Sequence, residues 1–339
     1  MKVDVILDAR ASASELAELG LLAEQQGFDG VWVSSLLDGR DPFTNFTTLA
    51  QQSSRIKLGP IAVNPWDIHP VRIAASLYTL NEFAGGRARI VIGGGGEALQ
   101  AINLEPKRRV RAVQECVEIL KLAGSGKRND YIGQLYQVKG HQLTWLTANS
   151  PAVYVGANMP QMLRMAAAVA DGVMMSDMPP ALAEAALKQL AGNLADKGRS
   201  LADFWSGSFT AWHVYADKEQ ARREACQWML LRGLFRPWVL SRFLNPDDVS
   251  LVMNNTQSFV DAFVNQTHVI KNVPDAVLDK LVKNLTLTGS LDDIDSLVEH
   301  LREYKAIGLQ SVSLRIYTDA AASLKLIGEQ IIPALALEK

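Results

Sequence analysis

Short runs of apolar, mostly β-branched residues alternate with longer stretches whose apolar positions recur at three- and four-residue spacing along nearly the whole chain. Eight of the short runs read as strands: residues 3–7, 31–33, 56–63, 88–92, 153–155, 172–175, 209–215 and 312–316. Ala88-Arg89-Ile90-Val91-Ile92 is nearly continuous in apolar residues, as a parallel strand buried on both faces should be. Between the runs lie helical patterns with their own signals. Ser14-Glu15 opens one, its apolar residues continue to Ala23, and Gly27 stops it. The phrase Gly27-Phe28-Asp29-Gly30-Val31-Trp32-Val33 carries that helix end straight into a strand. Gly308-Leu309-Gln310-Ser311-Val312 and Ala170-Asp171-Gly172-Val173 repeat the arrangement. Repeated βα units of this kind predict a single-domain α/β fold, a (β/α)8 TIM barrel covering residues 1–339.

Two segments break the rhythm. Residues 129–147 alternate polar and apolar positions around Gly133 and Gly140, which predicts an excursion hairpin. Residues 219–283 predict a helical insertion before the last strand, rich in large side chains: Trp228, Phe235, Trp238, Phe243 and Phe263. That insertion reads either as a cover over a pocket or dimer face, or as additional helical core.

Composition narrows the function classes. Lys plus Arg number 34 against 36 Asp plus Glu, giving a formal charge of −2, and 48% of residues are hydrophobic. This is a globular balance and not a disordered one. It also lacks the basic surface that a phosphate-backbone binder needs, so no nucleic-acid partner is expected. Cys116 and Cys226 are solitary thiols in helical patterns, no apolar run approaches the ~20 residues of a membrane helix, and charges interrupt the first residues. A cytoplasmic protein is expected. Histidines show no metal-ligand spacing, so no metal site is expected either.

In a barrel of this type chemistry sits at the C-terminal ends of the strands. The residues there are Asp8, Ser34, Ser35, Asn64, Gly93-Gly94-Gly95-Gly96-Glu97, Gly156-Ala157-Asn158, Ser176, Asp177, His213, Arg315 and Tyr317. Consecutive glycines let backbone approach a ligand closely, and Glu97 behind them is placed to move a proton or hold a substrate group. Leu58-Gly59-Pro60 and Asn64-Pro65 put prolines into one strand, which predicts a bulge. Val155-Gly156-Ala157-Asn158-Met159-Pro160-Gln161-Met162 is a strand, a small-residue turn and a helix start, whose free N–H groups suit an anion. His69 and His213 read as bracing and packing residues. The cluster Lys107-Arg108-Arg109-Val110-Arg111 reads as a solvated helix face, with phosphate contact by one of its residues as the alternative.

These phrases together resemble the bacterial-luciferase-like superfamily of flavin- and deazaflavin-dependent enzymes. Within it they are most similar to the coenzyme F420-dependent branch, particularly the methylenetetrahydromethanopterin reductases. The resemblance runs from Gly27–Ser34 through Leu58-Gly59-Pro60, His69-Pro70, Thr79-Leu80-Asn81-Glu82 and Gly85-Gly86-Arg87 to Tyr154-Val155-Gly156-Ala157. It implies a flavin- or deazaflavin-dependent oxidoreductase that transfers a hydride between the C5 of coenzyme F420 and a small organic substrate. It also implies a non-proline cis peptide at Ile61–Ala62 behind the ring, with cofactor contacts from Asn64, Gly95, Gly96, Asn158, Met159, Gln161 and Met162. Glu97 falls on the family's acid, and Asp8 is a substrate-side candidate. A homodimer is implied as well. One departure stands out: related sugar and alcohol dehydrogenases carry an Asp-His pair after the second strand, where this chain has Ser34-Ser35-Leu36. The alternatives are an FMN-dependent luciferase-like monooxygenase and a non-catalytic flavin-binding member.

Overall fold

Eight parallel strands wind into a nearly closed barrel. The computed structural model describes residues 1–232 and 236–337, and at Glu97 the backbone only. In chain order the strands are β1 (Lys2–Leu7), β2 (Gly30–Ser34), β3 (Lys57–Ile61), β4 (Arg89–Ile92), β5 (Asn129–Ile132), β6 (Gln137–His141), β7 (Ala152–Gly156), β8 (Gly172–Ser176), β9 (Trp205–Tyr215), β10 (Thr286–Ser290) and β11 (Ser311–Ile316). Hydrogen bonding runs β3-β2-β1-β11-β9-β8-β7-β4. β5 and β6 form a separate antiparallel pair. The eight runs expected to be strands are the eight barrel strands. β10, which pairs with the distal half of β9, was not expected. Its Thr-Leu-Thr-Gly-Ser sequence lacks the apolar continuity that marks the others.

The seam between β3 and β4 closes through two isolated bridges, Leu58 with Ala88 and Val63 with Ile92. Across that span β3 carries one residue more than β4, which is the expected bulge. The peptide Ile61–Ala62 within it is cis. A Cβ on Gly59 would stand 1.7 Å from the Arg89 carbonyl oxygen, and one on Gly30 would stand 1.8 Å from the Arg89 guanidinium. Only glycine lets these strands come so close to β4.

Side chains alternate between two cores. Val3, Val5 and Leu7 of β1 face the outer shell of helices, whereas Ile6 joins Trp32, Ile61, Val91, Tyr154 and Met174 inside the barrel. At the base of that interior Asp4 accepts hydrogen bonds from Trp32 Nε1 at 2.9 Å and forms an ion pair with Arg89 at 2.9 Å. The Arg89 guanidinium also lies 4.0 Å from the centroid of the Trp32 ring.

The helices meet the barrel with local fastenings. Ser12, two residues before the expected cap, accepts from the Glu15 amide and starts the helix Ala13–Gln25. At that helix's far end the Glu24 carboxylate accepts from the amides of Ser54, Arg55 and Ile56, at 2.7 Å for the last. Burial pushes the Glu24 pKa up, but the three amides outweigh it and hold the value at about 2. The insertion supplies the helices Pro237–Leu240, Pro246–Asn254, Thr256–Val264 and Asp275–Leu285. Its aromatic residues are engaged within the chain: Trp228 meets Phe263 edge-on at 5.6 Å, and Phe243 packs against the outer core. Phe235 lies outside the described residues. No described helix is long and apolar enough to cross a membrane.

Glu24→Gln is expected to lower stability at pH 7 by about 1–2 kcal/mol, since a half-exposed carboxylate loses charge-assisted bonds to backbone. A depressed carboxyl pKa contributes stability above the unfolded value of 4.5, and that contribution fades as pH falls toward about 2. Urea titrations of both proteins at pH 7 and pH 3 should therefore show the gap narrowing in acid. A constant gap would place the effect in packing alone.

Candidate active site

The C-terminal ends of five barrel strands, β2, β3, β4, β7 and β8, together with Phe209 from the middle of β9, open into a cavity of about 740 Å³. Its floor is the top of the barrel interior, where Ile61, Val91, Met174 and Phe209 present apolar surface. Ala62 continues that surface along the bulge, and Gly93, Gly94, Gly95 and Gly96 form one wall. This is the volume and lining expected of a small-molecule or cofactor site.

The exit of β3 is held by an Asx turn. Asn64 Oδ1 accepts from the amides of Trp66 at 3.0 Å and Asp67 at 3.3 Å. Gly95 has a left-handed backbone with φ +73°, and a Cβ there would stand 2.7 Å from Leu99 and 3.2 Å from Trp66. A Cβ on Gly96 would meet open space. The turn after β7 is stapled to β8: Asn158 Nδ2 donates to the Ser176 carbonyl at 2.9 Å, while its Oδ1 accepts from the Ser176 amide at 2.9 Å. The Asn158 amide is thus spent on fixing the wall. Met159 precedes the helix Pro160–Val169 and supplies no side-chain cap.

Ile61, Ala62, Asn64, Gly95, Gly96, Asn158, Met159 and Met162 all line this cavity. Gln161 does not line it, and its side chain is exposed. Asp8 lies away from the lining too. Its exposed carboxylate accepts from the Arg10 amide at 3.2 Å and lies 3.7 Å from that guanidinium. Glu97 begins a short 3-10 helix, Glu97–Ile102, and its side chain lies outside the described residues.

Several lining residues were not among the site candidates. Arg109 belongs to the basic cluster read as a solvated face with phosphate contact as the alternative; it lies over Gly94 and lines the cavity. Its signal was position, because it is the first residue of the helix Arg109–Ala123. Arg236 and Trp238 enter from the helical insertion, and Arg236 Nη1 donates to the Ser176 carbonyl at 3.2 Å. No local motif marks Arg236, whereas Trp238 is one of the large side chains that set this insertion apart. Leu36 and Leu37, at 41% and 46% exposure, stand at the mouth after β2.

Other rim residues serve the frame. Ser34 Oγ accepts from Arg315 Nη1 at 3.0 Å. His69 Nδ1 accepts from the Val71 amide and caps the helix Pro70–Phe83. His213 is fully buried, with Nδ1 2.6 Å from the Glu224 carboxylate, and burial lowers its pKa. Asp177 and Arg232 form a buried ion pair at 2.9 Å behind Phe209.

Known proteins resemble this chain in sequence and in fold. Residues 1–311 match the family model described as luciferase-like monooxygenase. The chain is 31% identical over 320 residues to a 5,10-methylenetetrahydromethanopterin reductase of Archaeoglobus fulgidus, covering 93% of each chain. An F420-dependent glucose-6-phosphate dehydrogenase of Nakamurella multipartita is 26% identical, covering 95% of this chain and 92% of that one. Among solved structures, the coenzyme F420-dependent tetrahydromethanopterin reductase from Methanopyrus kandleri superposes with a TM-score of 0.79 at 21% identity, over 98% of this chain and 99% of that one.

The two neighbouring glycines should behave differently. Gly95→Ala is expected to cost about 1–3 kcal/mol, because an L-residue is strained at that φ and meets Leu99. Gly96→Ala should stay within about 0.5 kcal/mol. Denaturant melts of the two variants decide this, and equal losses would mean the loop does not hold the described conformation.

Proposed function

The chain belongs to the luciferase-like monooxygenase family, and from that premise we propose that it is an oxidoreductase that binds coenzyme F420 in the barrel-mouth cavity and moves a hydride to or from a small organic substrate. A methylenetetrahydropterin-type substrate is the form we favour. The reading is carried by an apolar floor of Ile61, Ala62 and Val91 beside a glycine wall, in a chain similar over 93% of its length to a methylenetetrahydromethanopterin reductase.

The residues fit such a group. A flat tricyclic ring needs one apolar face to lie on, and the bulged exit of β3 offers Ile61 and Ala62 for that purpose. Gly95 and Gly96 line the cavity without side chains, so their backbone would be free to approach the bound ring. Arg109 and Arg236 line the same cavity as the turn at Asn158 and Met159, and would hold the anionic portion of the cofactor there. When bound, F420 supplies hydride chemistry at its deazaflavin C5. The protein orients the partners and keeps water out, with Leu36, Leu37 and Trp238 at the mouth.

Proton handling separates substrate classes. No histidine lines the cavity among the described residues, and Ser34, where the dehydrogenase pair would begin, is engaged by Arg315. Oxidising an alcohol needs a base at that place. Reducing an imine-like or activated double bond asks less, and Glu97 is proposed as the group that holds the proton. The same proposal takes the chain to act as a cytoplasmic homodimer, which equilibrium sedimentation would read.

Titrating the purified chain separately with F420 and FMN, followed by visible spectra and thermal shift, should show saturable binding of F420. Glu97→Gln should keep F420 affinity within about twofold while lowering turnover of a methylenetetrahydropterin by about a hundredfold. Binding of FMN alone would replace this reading with flavin monooxygenase chemistry, and unchanged turnover would remove Glu97 from it.

A further inference from the structure

We propose that the β5–β6 excursion is a brace that sets the geometry of the cavity wall, with Glu115 and Tyr136 as its positioning residues. The inference rests on reading the cavity as the F420 site. The hairpin is not held by a core of its own: its residues are half-buried or exposed, and Ile132 is 79% exposed. It is held instead at its turn. Glu115, only 1% exposed on the helix Arg109–Ala123, accepts from the amides of Gln134 at 2.8 Å, Leu135 at 2.9 Å and Tyr136 at 2.9 Å. A buried carboxylate satisfied by three backbone donors fixes the turn strongly. Gly133 is glycine because a Cβ there would stand 2.3 Å from the Glu115 carboxylate.

From that clamped turn Tyr136 reaches the cavity wall. Its hydroxyl donates to the Pro65 carbonyl at 2.6 Å, and its ring meets His69 edge-on at 5.5 Å. Burial pushes its pKa up to about 12, so the hydroxyl remains a donor at neutral pH. Pro65 has no N–H with which to extend the ladder beyond the Val63–Ile92 bridge, so its position depends on contacts of this kind. It directly follows Asn64 in the lining and precedes Trp66, which lies beside Gly95. The same turn accepts a hydrogen bond at Gln134 from Arg108, the residue before Arg109. One clamped turn therefore touches both segments that flank the glycine wall.

Tyr136→Phe removes only the bond to Pro65. Hydrogen exchange followed by mass spectrometry should show the amides of residues 62–64, 66 and 67 exchanging about tenfold faster, with β9 amides and the thermal midpoint unchanged. F420 affinity, read by fluorescence titration, should fall about three- to tenfold. Glu115→Gln should give the same pattern and also expose the 134–136 amides. If Glu115→Gln fails to fold, Tyr136→Phe decides by itself. Wild-type exchange and affinity in Tyr136→Phe would overturn the brace. The exchange arm needs no cofactor, so a wild-type chain that failed to bind F420 would remove the proposed function and still leave the brace to be decided by exchange.

Discussion

The barrel mouth is shaped by what fills the barrel below it. Arg89 enters the interior with its guanidinium paired to Asp4 and stacked on Trp32, and its own backbone presses against Gly59. A buried arginine is tolerated only when paired, and here the pairing fixes β1, β2 and β4 relative to one another at the base. With Gly59 packed on the Arg89 carbonyl and one residue more on β3 than on β4, the surplus emerges as the bulge at Ile61 and Ala62. The floor of the cavity follows from that register.

Above the floor, many of the polar groups in and around the walls are spent on the frame. Asn64 caps its own turn, Asn158 is committed to Ser176, Ser34 to Arg315 and Asp177 to Arg232. Each such bond uses a side chain that might otherwise reach a ligand, and in exchange fixes backbone at a strand end. What remains to face a bound molecule is mostly apolar surface and glycine backbone, with Arg109, Arg236, Ser35, Asp38 and Asp67 as the further polar side chains of the lining. This is a site made for orientation and water exclusion, which is the larger part of what hydride transfer asks of a protein.

The two departures from the βα rhythm both return to this site. The helical insertion contributes Arg236 and Trp238 to the lining, while its other described aromatics pack within the chain. The hairpin turn is anchored on the helix that begins with Arg109 and reaches the exit of β3 through Tyr136. Elements added to a barrel need such anchoring, since a two-stranded ribbon by itself is marginal in water.

The sequence by itself determined the eight strands, their parallel barrel and the small-residue turns at their C-terminal ends. Those features are local: continuous apolar runs, helix stops and glycine-proline punctuation act within a few residues. It also marked Ile61, Gly95 and Asn158 through the phrases around them. Tertiary structure alone decided that Asn158 spends its amide on β8, that Asp8 turns to Arg10 away from the cavity, and that Arg109 and Arg236, 127 positions apart in the numbering, line the same cavity. Side-chain commitments of this kind depend on which strand ends become neighbours, and that is set by barrel closure rather than by any stretch of adjacent residues.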